Sequence, residues 1–214
     1  MDLADVNVDS KLDAVAGGNV WLGNGSGGFG PAIHPSTAGD DNRIVDVNHD
    51  PFPDRAGIDS DADVVAVQLG DGTGQFGAVT QYSTGLAPID LAVADVNGDL
   101  FTDLVTANLT GSVTVLLGSE AGTYSTQNFP TSRGPRSLAI GDVNGDTLPD
   151  IVVGGFVIQG IGWHTAVLLG DGIGSFGSST IVSDQLPVHS LQLADLNADG
   201  ALDVVASADI FYGG

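Results

Sequence analysis

The segment Asp95-Val96-Asn97-Gly98-Asp99-Leu100-Phe101-Thr102-Asp103 is one of five copies of a nine-residue pattern, the others starting at Asp5, Asp46, Asp142 and Asp195. Each copy keeps three aspartates and one asparagine at unchanged spacing, follows a short apolar stretch and, in four of five cases, leads into a β-branched run such as Val204-Val205. An Asp/Asn-rich loop met once would read as a solvated Asx turn. Five loops between strands point instead to a hard cation, because calcium takes about 6 to 8 oxygen ligands that alternate side chains of a tight loop can supply.

The charge balance agrees with that reading. Twenty-seven acidic residues face five basic ones, for a formal net charge of −22. Such a surface excludes nucleic-acid binding through a basic face and disfavours anionic membranes. Fifteen of the 27 acids lie in the five motifs, and unneutralised carboxylate clusters would penalise a compact state. With 42% hydrophobic and 15% charged residues the 214-residue chain can bury a core. The absence of cysteine removes disulfides, thiolate catalysis and cysteine-ligated zinc. Ile151 to Trp163, the most apolar stretch, is too short and glycine-rich to span a bilayer. Met1 opens no signal peptide, since strand-like sequence begins at once; either an export signal has been removed or the protein stays inside.

A second landmark follows each motif: Trp21-Leu22-Gly23-Asn24-Gly25, Gln68-Leu69-Gly70-Asp71-Gly72, Leu116 to Ser125, and Leu168 to Gly177. Strand residues running into such glycine-rich turns predict hairpins. From the landmark leucine to the next motif the chain takes 24 to 26 residues, whereas from the motif's last aspartate to the landmark it takes 9 to 19. One connection varies on a fixed scaffold. The unit reads as strand A, oxygen-rich loop, strand B, variable loop, strand C, glycine-rich turn, strand D. A four-stranded antiparallel unit repeated radially is a β-propeller blade. The expectation is an all-β chain, one propeller domain over 1–214, with repeats near 1–40, 41–89, 90–137, 138–189 and an incomplete 190–214. It is either five-bladed or, as we favour, a piece of a larger, for example seven-bladed, ring.

The alternation of Ala-Asp-Val-Asn-Gly-Asp with Val-Leu-Leu-Gly-Asp-Gly and Phe-Gly resembles the FG-GAP/VCBS repeats, the family that includes the integrin α-subunit propeller, over essentially the whole chain. The resemblance implies calcium ligation by the side chains of motif positions 1, 3, 5 and 9 and the carbonyl of position 7. Carried over, the ligands are Asp5, Asn7, Asp9, Asp13 and the Lys11 carbonyl in the first loop, and Asp46, Asn48, Asp50, Asp54 and the Phe52 carbonyl in the second. The third loop has Asp95, Asn97, Asp99, Asp103 and Phe101, the fourth Asp142, Asn144, Asp146, Asp150 and Leu148, and the fifth Asp195, Asn197, Asp199, Asp203 and Ala201. In the second copy Asp63 mimics the ninth position, but it would leave too few residues before Leu69 for strand B, a turn and strand C, so Val64 to Leu69 is assigned to strand C. Position 6, usually glycine in the family, is Ser10, Pro51, Leu100, Thr147 and Gly200. The turn there favours a conformation costly for other residues, and a proline's fixed φ suits it least. Up to five calcium ions are expected, the second being the doubtful one.

Other chemistries find little support. Gly23 to Gly28 fits a dinucleotide pattern, but Pro31-Ala32-Ile33-His34-Pro35 cannot open the helix that pattern requires. Four scattered histidines have no metal-ligand spacing, and no Gly-x-Ser-x-Gly elbow occurs. The fourth variable loop, with Trp163 and His164, opens on the face opposite the calcium loops, and the connectors carrying Arg133 and His189 share that face. An exposed tryptophan there could anchor a sugar or protein; alternatively Trp163 begins strand C and packs between blades.

The expectation is therefore a non-enzymatic, calcium-stabilised propeller that binds a protein or carbohydrate outside the cell or at its surface, in adhesion or as a module of a larger polypeptide. The alternative is the propeller domain of a carbohydrate-active, lyase-like enzyme, for which Tyr82, Arg133 and His189 are scattered candidates.

Overall fold

The computed structural model describes residues 2–16, 18–33, 41–131, 134–156, 163–183 and 188–207, and every regular element among them is a strand. The elements form antiparallel sheets in chain order. Blade 1 is β1 (Asp2–Ala4), β2 (Asp13–Ala16), β3 (Asn19–Gly23) and β4 (Phe29–Ile33); blade 2 is β5 (Asp41–Val45), β6 (Asp54–Asp59), β7 (Val64–Gln68) and β8 (Thr80–Ser83). Blade 3 holds β9 (Pro88–Ala94), β10 (Asp103–Asn108), β11 (Ser112–Leu117) and β12 (Ser125–Pro130), and blade 4 holds β13 (Pro135–Gly141), β14 (Asp150–Phe156), β15 (Trp163–Leu168) and β16 (Thr180–Ser183). The fifth sheet consists of β17 (Ser190–Ala194) and β18 (Asp203–Ser207).

The four-stranded blade read from the sequence is thus the observed unit, and Asp54 opens β6 while Val64 opens β7. Asp63 sits in the intervening turn at φ 58°, where its Oδ1 accepts the Ala87 amide. The repeat boundaries near 90 and 138 fall inside β9 and β13, which start earlier, at Pro88 and Pro135. A proline's missing N–H is tolerated at the head of a strand.

Each first strand packs on the next: β1 on β5, β5 on β9, β9 on β13, β13 on β17. The blades therefore turn around an axis lined by their first strands. Among the described residues no comparable packing joins β17 back to β1, so the five sheets form an arc rather than a closed five-bladed ring.

The core lies in the seams between blades. Ala56, Ile58, Val65 and Val67 of blade 2 pack with Leu104 and Leu116 of blade 3. Val105, Ala107, Val113 and Val115 of blade 3 meet Ile151, Val153 and Leu168 of blade 4. At the outer rim the aromatic residue of each glycine-rich turn reaches the preceding blade's last strand: Tyr124 contacts Tyr82 with ring centroids 5.2 Å apart, and Phe176 contacts Phe129 at 5.5 Å, both edge to face. Phe76 and Ile33 join one cluster at the first seam. Phe29, the equivalent aromatic of blade 1, is 52% exposed.

The Tyr124 hydroxyl is buried with no hydrogen-bond partner. An orphaned buried hydroxyl costs about 1 to 3 kcal/mol of desolvation, and the ring contact survives its removal. Tyr124→Phe is therefore expected to raise stability by about 1 kcal/mol in urea unfolding; a loss of stability would mean that the hydroxyl is satisfied after all.

Candidate calcium loops and the opposite face

Each motif forms a loop between the first and second strand of its blade, and in four of the five its backbone twice enters the left-handed region. Position 4 does so in all five copies, at Val8, His49, Gly98, Gly145 and Ala198, with φ between 57° and 82°. Position 6 does so in four: Ser10 at 66°, Leu100 at 74°, Thr147 at 72° and Gly200 at 89°. Pro51, whose ring fixes φ near −65°, is the exception. The strain expected at position 6 is real. That at position 4 was hidden by side chains such as Val8 and His49, although glycine in copies three and four was a visible hint.

The left-handed turns aim amides at the first aspartate. The position-6 N–H donates to its carboxylate from Ser10 to Asp5, Leu100 to Asp95 at 2.9 Å, Thr147 to Asp142 at 2.7 Å and Gly200 to Asp195 at 2.9 Å. Proline has no such hydrogen, and in the second loop Asp46 Oδ1 accepts from Asn48 instead. The position-3 asparagine oxygen accepts the position-5 amide, for example Asp99 N–H to Asn97 Oδ1 at 3.1 Å. The position-5 carboxylate accepts the position-7 amide, and in copies two to five it also accepts the asparagine Nδ2–H at 2.9 Å. In the first loop the Lys11 ammonium sits 2.9 Å from Asp9 Oδ2 and holds that carboxyl below its usual range.

The ninth position differs in kind. Asp13, Asp54, Asp103 and Asp150 are fully buried. One oxygen of each accepts the position-2 amide, of Val6, Val47, Val96 and Val143, at 2.9 to 3.1 Å. The other accepts the amide of Gly23, Gly70, Gly118 or Gly170 at 2.7 to 2.9 Å. In the fifth copy Asp203 accepts from Leu196 at 3.0 Å. The carboxylate therefore clamps the motif loop to the glycine-rich turn. The glycine is required, since a Cβ there would collide with the carbonyl oxygen of motif position 8, Leu12, Pro53, Thr102 or Pro149. Burial pushes the Asp103 carboxyl up to about 6 against the pull of its two amide donors, and the charges of Asp99 and Asp95 add to the rise.

These loops suit a divalent cation in donor type, spacing and charge: they offer only oxygens, the chain has five basic residues against 27 acidic ones, and the carboxyls of Asp54 and Asp103, pushed up first by burial, are pushed further by the neighbouring aspartates of their own loops. Coordination is not preformed. The carboxylates are turned onto loop amides, and among the described residues no three acidic or histidine side chains gather as ligands. Asp, Asn, Asp and Asp at positions 1, 3, 5 and 9 are the side chains that would hold calcium, which when bound would offset their mutual repulsion. Loops two and three are also tied together, by the Thr102 hydroxyl donating to the Asp46 carbonyl at 2.8 Å and by the His49 and Phe101 rings 5.1 Å apart.

On the opposite face, Trp163 begins β15 and His189 lies just before β17, their ring centroids 5.2 Å apart. His164 points the other way and is fully buried, so it does not join them at the surface. Arg133 and the 157–162 part of the fourth variable loop lie outside the described residues.

The clamp and the loop side chains separate by mutation. With chelator present, Asp103→Ala leaves two amides without acceptors, an expected loss of about 2 to 6 kcal/mol at 1 to 3 each, whereas exposed Asp99→Ala should cost less than about 1. Urea unfolding compares them, and equal losses would refute a separate role for the ninth aspartate.

No curated protein matches the chain. The FG-GAP-like repeat family model matches residues 46–106 and 95–153, which together cover half of the sequence and run from loop two through blade 3 and loop four into β14. The matched segments contain three copies of the recurring loop, the Asp54–Gly70 and Asp103–Gly118 clamps and the whole of blade 3, and the chain belongs to the FG-GAP-like repeat family.

Proposed function

We propose that the protein is a calcium-stabilised propeller module that works outside the cell or at its surface and presents the face opposite its calcium loops to a protein or carbohydrate ligand, without catalysis. The observation that carries this reading is the division between the two faces. One carries five acidic loops of constant length. The other carries connections of 9 to 19 residues and an aromatic pair, Trp163 with His189. Loops that hold a scaffold must keep their length, whereas loops that meet a partner can vary at little cost to the fold. Among the described residues no helix is long and apolar enough to cross a membrane.

Calcium should act as a cross-link within each loop. Binding to the folded state alone stabilises by about 2.7 kcal/mol per site at a hundredfold excess over Kd. The sites should be unequal: Pro51 denies the second loop its position-6 amide, and Lys11 already occupies the Asp9 carboxylate of the first. Calcium is expected to raise the melting temperature and chelator to lower it. Native mass spectrometry should show one ion lost in Asp99→Ala or Asp146→Ala, little change in Asp50→Ala, and stronger binding at the first loop in Lys11→Met. A melting curve indifferent to chelator would rule out structural calcium.

The aromatic pair supplies the second test. Large aromatic anchors typically cost 2 kcal/mol or more when truncated, a loss of about thirtyfold in affinity. Once glycan-array or pull-down screening supplies a ligand, Trp163→Ala is expected to show that loss with an unaltered melting temperature. Unchanged affinity in Trp163→Ala, with a loss in Asp71→Ala or Asp171→Ala, would place the ligand on the calcium face.

A further inference from the structure

The blades repeat closely enough that each seam can be compared with the next. On the face turned to the preceding blade, the cross-strand pair at the start of the second strand is Leu104 with Leu116 in blade 3 and Ile151 with Leu168 in blade 4, all fully buried. In blade 2 the same pair is Arg55 with Gln68, also fully buried. Arg55 shares its face with Ile44, which packs against the Val6, Val15 and Val20 cluster of blade 1. The guanidinium therefore lies in the seam between blades 1 and 2.

That guanidinium is poorly compensated. Its Nε–H donates to Asn42 Oδ1 at 2.8 Å, while Nη1 and Nη2 have no hydrogen-bond partner. Arginine keeps its charge in proteins, and a buried charge without a counter-ion is among the most costly groups a fold can carry. Seam packing does not offset it well: the three fully buried apolar residues of this cluster all come from blade 1, with blade 2 adding only the half-buried Ile44 and Phe76. Buried polarity alone is not the difference. At the next seam Thr106, Asn108 and Thr114 are equally buried, but they bond to one another, and the Gly85 amide donates to the Thr114 hydroxyl.

We propose that the seam between blades 1 and 2 is the built-in opening point of the arc, where blade 1 swings away and exposes Arg55 to water while blades 2 to 4 stay packed. Opening costs little apolar burial at this seam and returns hydration to the guanidinium. Local openings of this kind are read by amide exchange. Blade 1 would then move against the body formed by blades 2 to 4 and the sheet packed on β13.

The test is hydrogen exchange on the intact chain in calcium-containing buffer. Amides of β2 and β3 should be at least about tenfold less protected than those of β10, β11, β14 and β15. Blades differ in protection for reasons other than their seams, so the deciding comparison is Arg55→Leu, which supplies the residue type of Leu104. Protection in β2 and β3 should rise by about tenfold or more in that variant, with β14 and β15 unchanged. If Arg55→Leu does not fold, Arg55→Met, with the same unbranched stem, replaces it. Wild-type protection equal in all blades, or β2 and β3 exchange unaltered by removing the charge, would overturn the proposal.

Discussion

The carboxylate at the ninth motif position is the interaction on which each blade depends. It lies at the junction of three backbone segments: the start of the oxygen-rich loop, the head of the second strand and the glycine after the third. Its two oxygens take one amide from each of the flanking segments, in Asp13, Asp54, Asp103 and Asp150 alike. Buried amides must find acceptors, and here one side chain serves two that no strand partner can reach. The backbone approach this demands excludes any side chain at Gly23, Gly70, Gly118 and Gly170. The aspartate and the glycine are thus a single device, although 10 to 20 residues separate them.

That separation explains what was legible in the sequence. The motif, the hairpin landmark and the distances between them give the blade, its strand order and the assignment of Asp54 over Asp63, because each is a local pattern with a local cause. Position 6 was legible for the same reason, as a turn whose φ suits glycine and excludes Pro51. The clamp was not, since the ninth aspartate reads as one more oxygen ligand and its glycine partner as a turn residue at variable distance. Position 4 was masked because Val8, His49 and Ala198 accept a left-handed backbone that their side chains disfavour.

On the other face the same limit applies. Trp163 and His189 come from different blades, and their ring contact follows only from the packing of β13 on β17. Trp163 and His164 are neighbours in sequence, yet alternation along β15 turns the half-buried Trp163 toward His189 and buries His164 fully on the strand's other face. A sequence reading that groups them as one feature cannot separate them until the strand's register is known.

The two devices in this chain that carry charge into the interior obey different rules. The ninth aspartate is buried beside other carboxylates, yet both its oxygens are bonded, so the fold holds it firmly. Arg55 is buried with two of its three guanidinium nitrogens unbonded, and among the described residues only Asn42 replaces any of the water it has lost. Stability in a repeat protein is approximately the sum of each unit and its contacts with its neighbours. A repeat that satisfies its internal bonds but carries an orphaned charge at one interface keeps its own fold and loosens its junction. Blade rigidity and seam strength are therefore set by different residues, which lets acidic loops of nearly constant form sit on blades that are unequally fastened to one another.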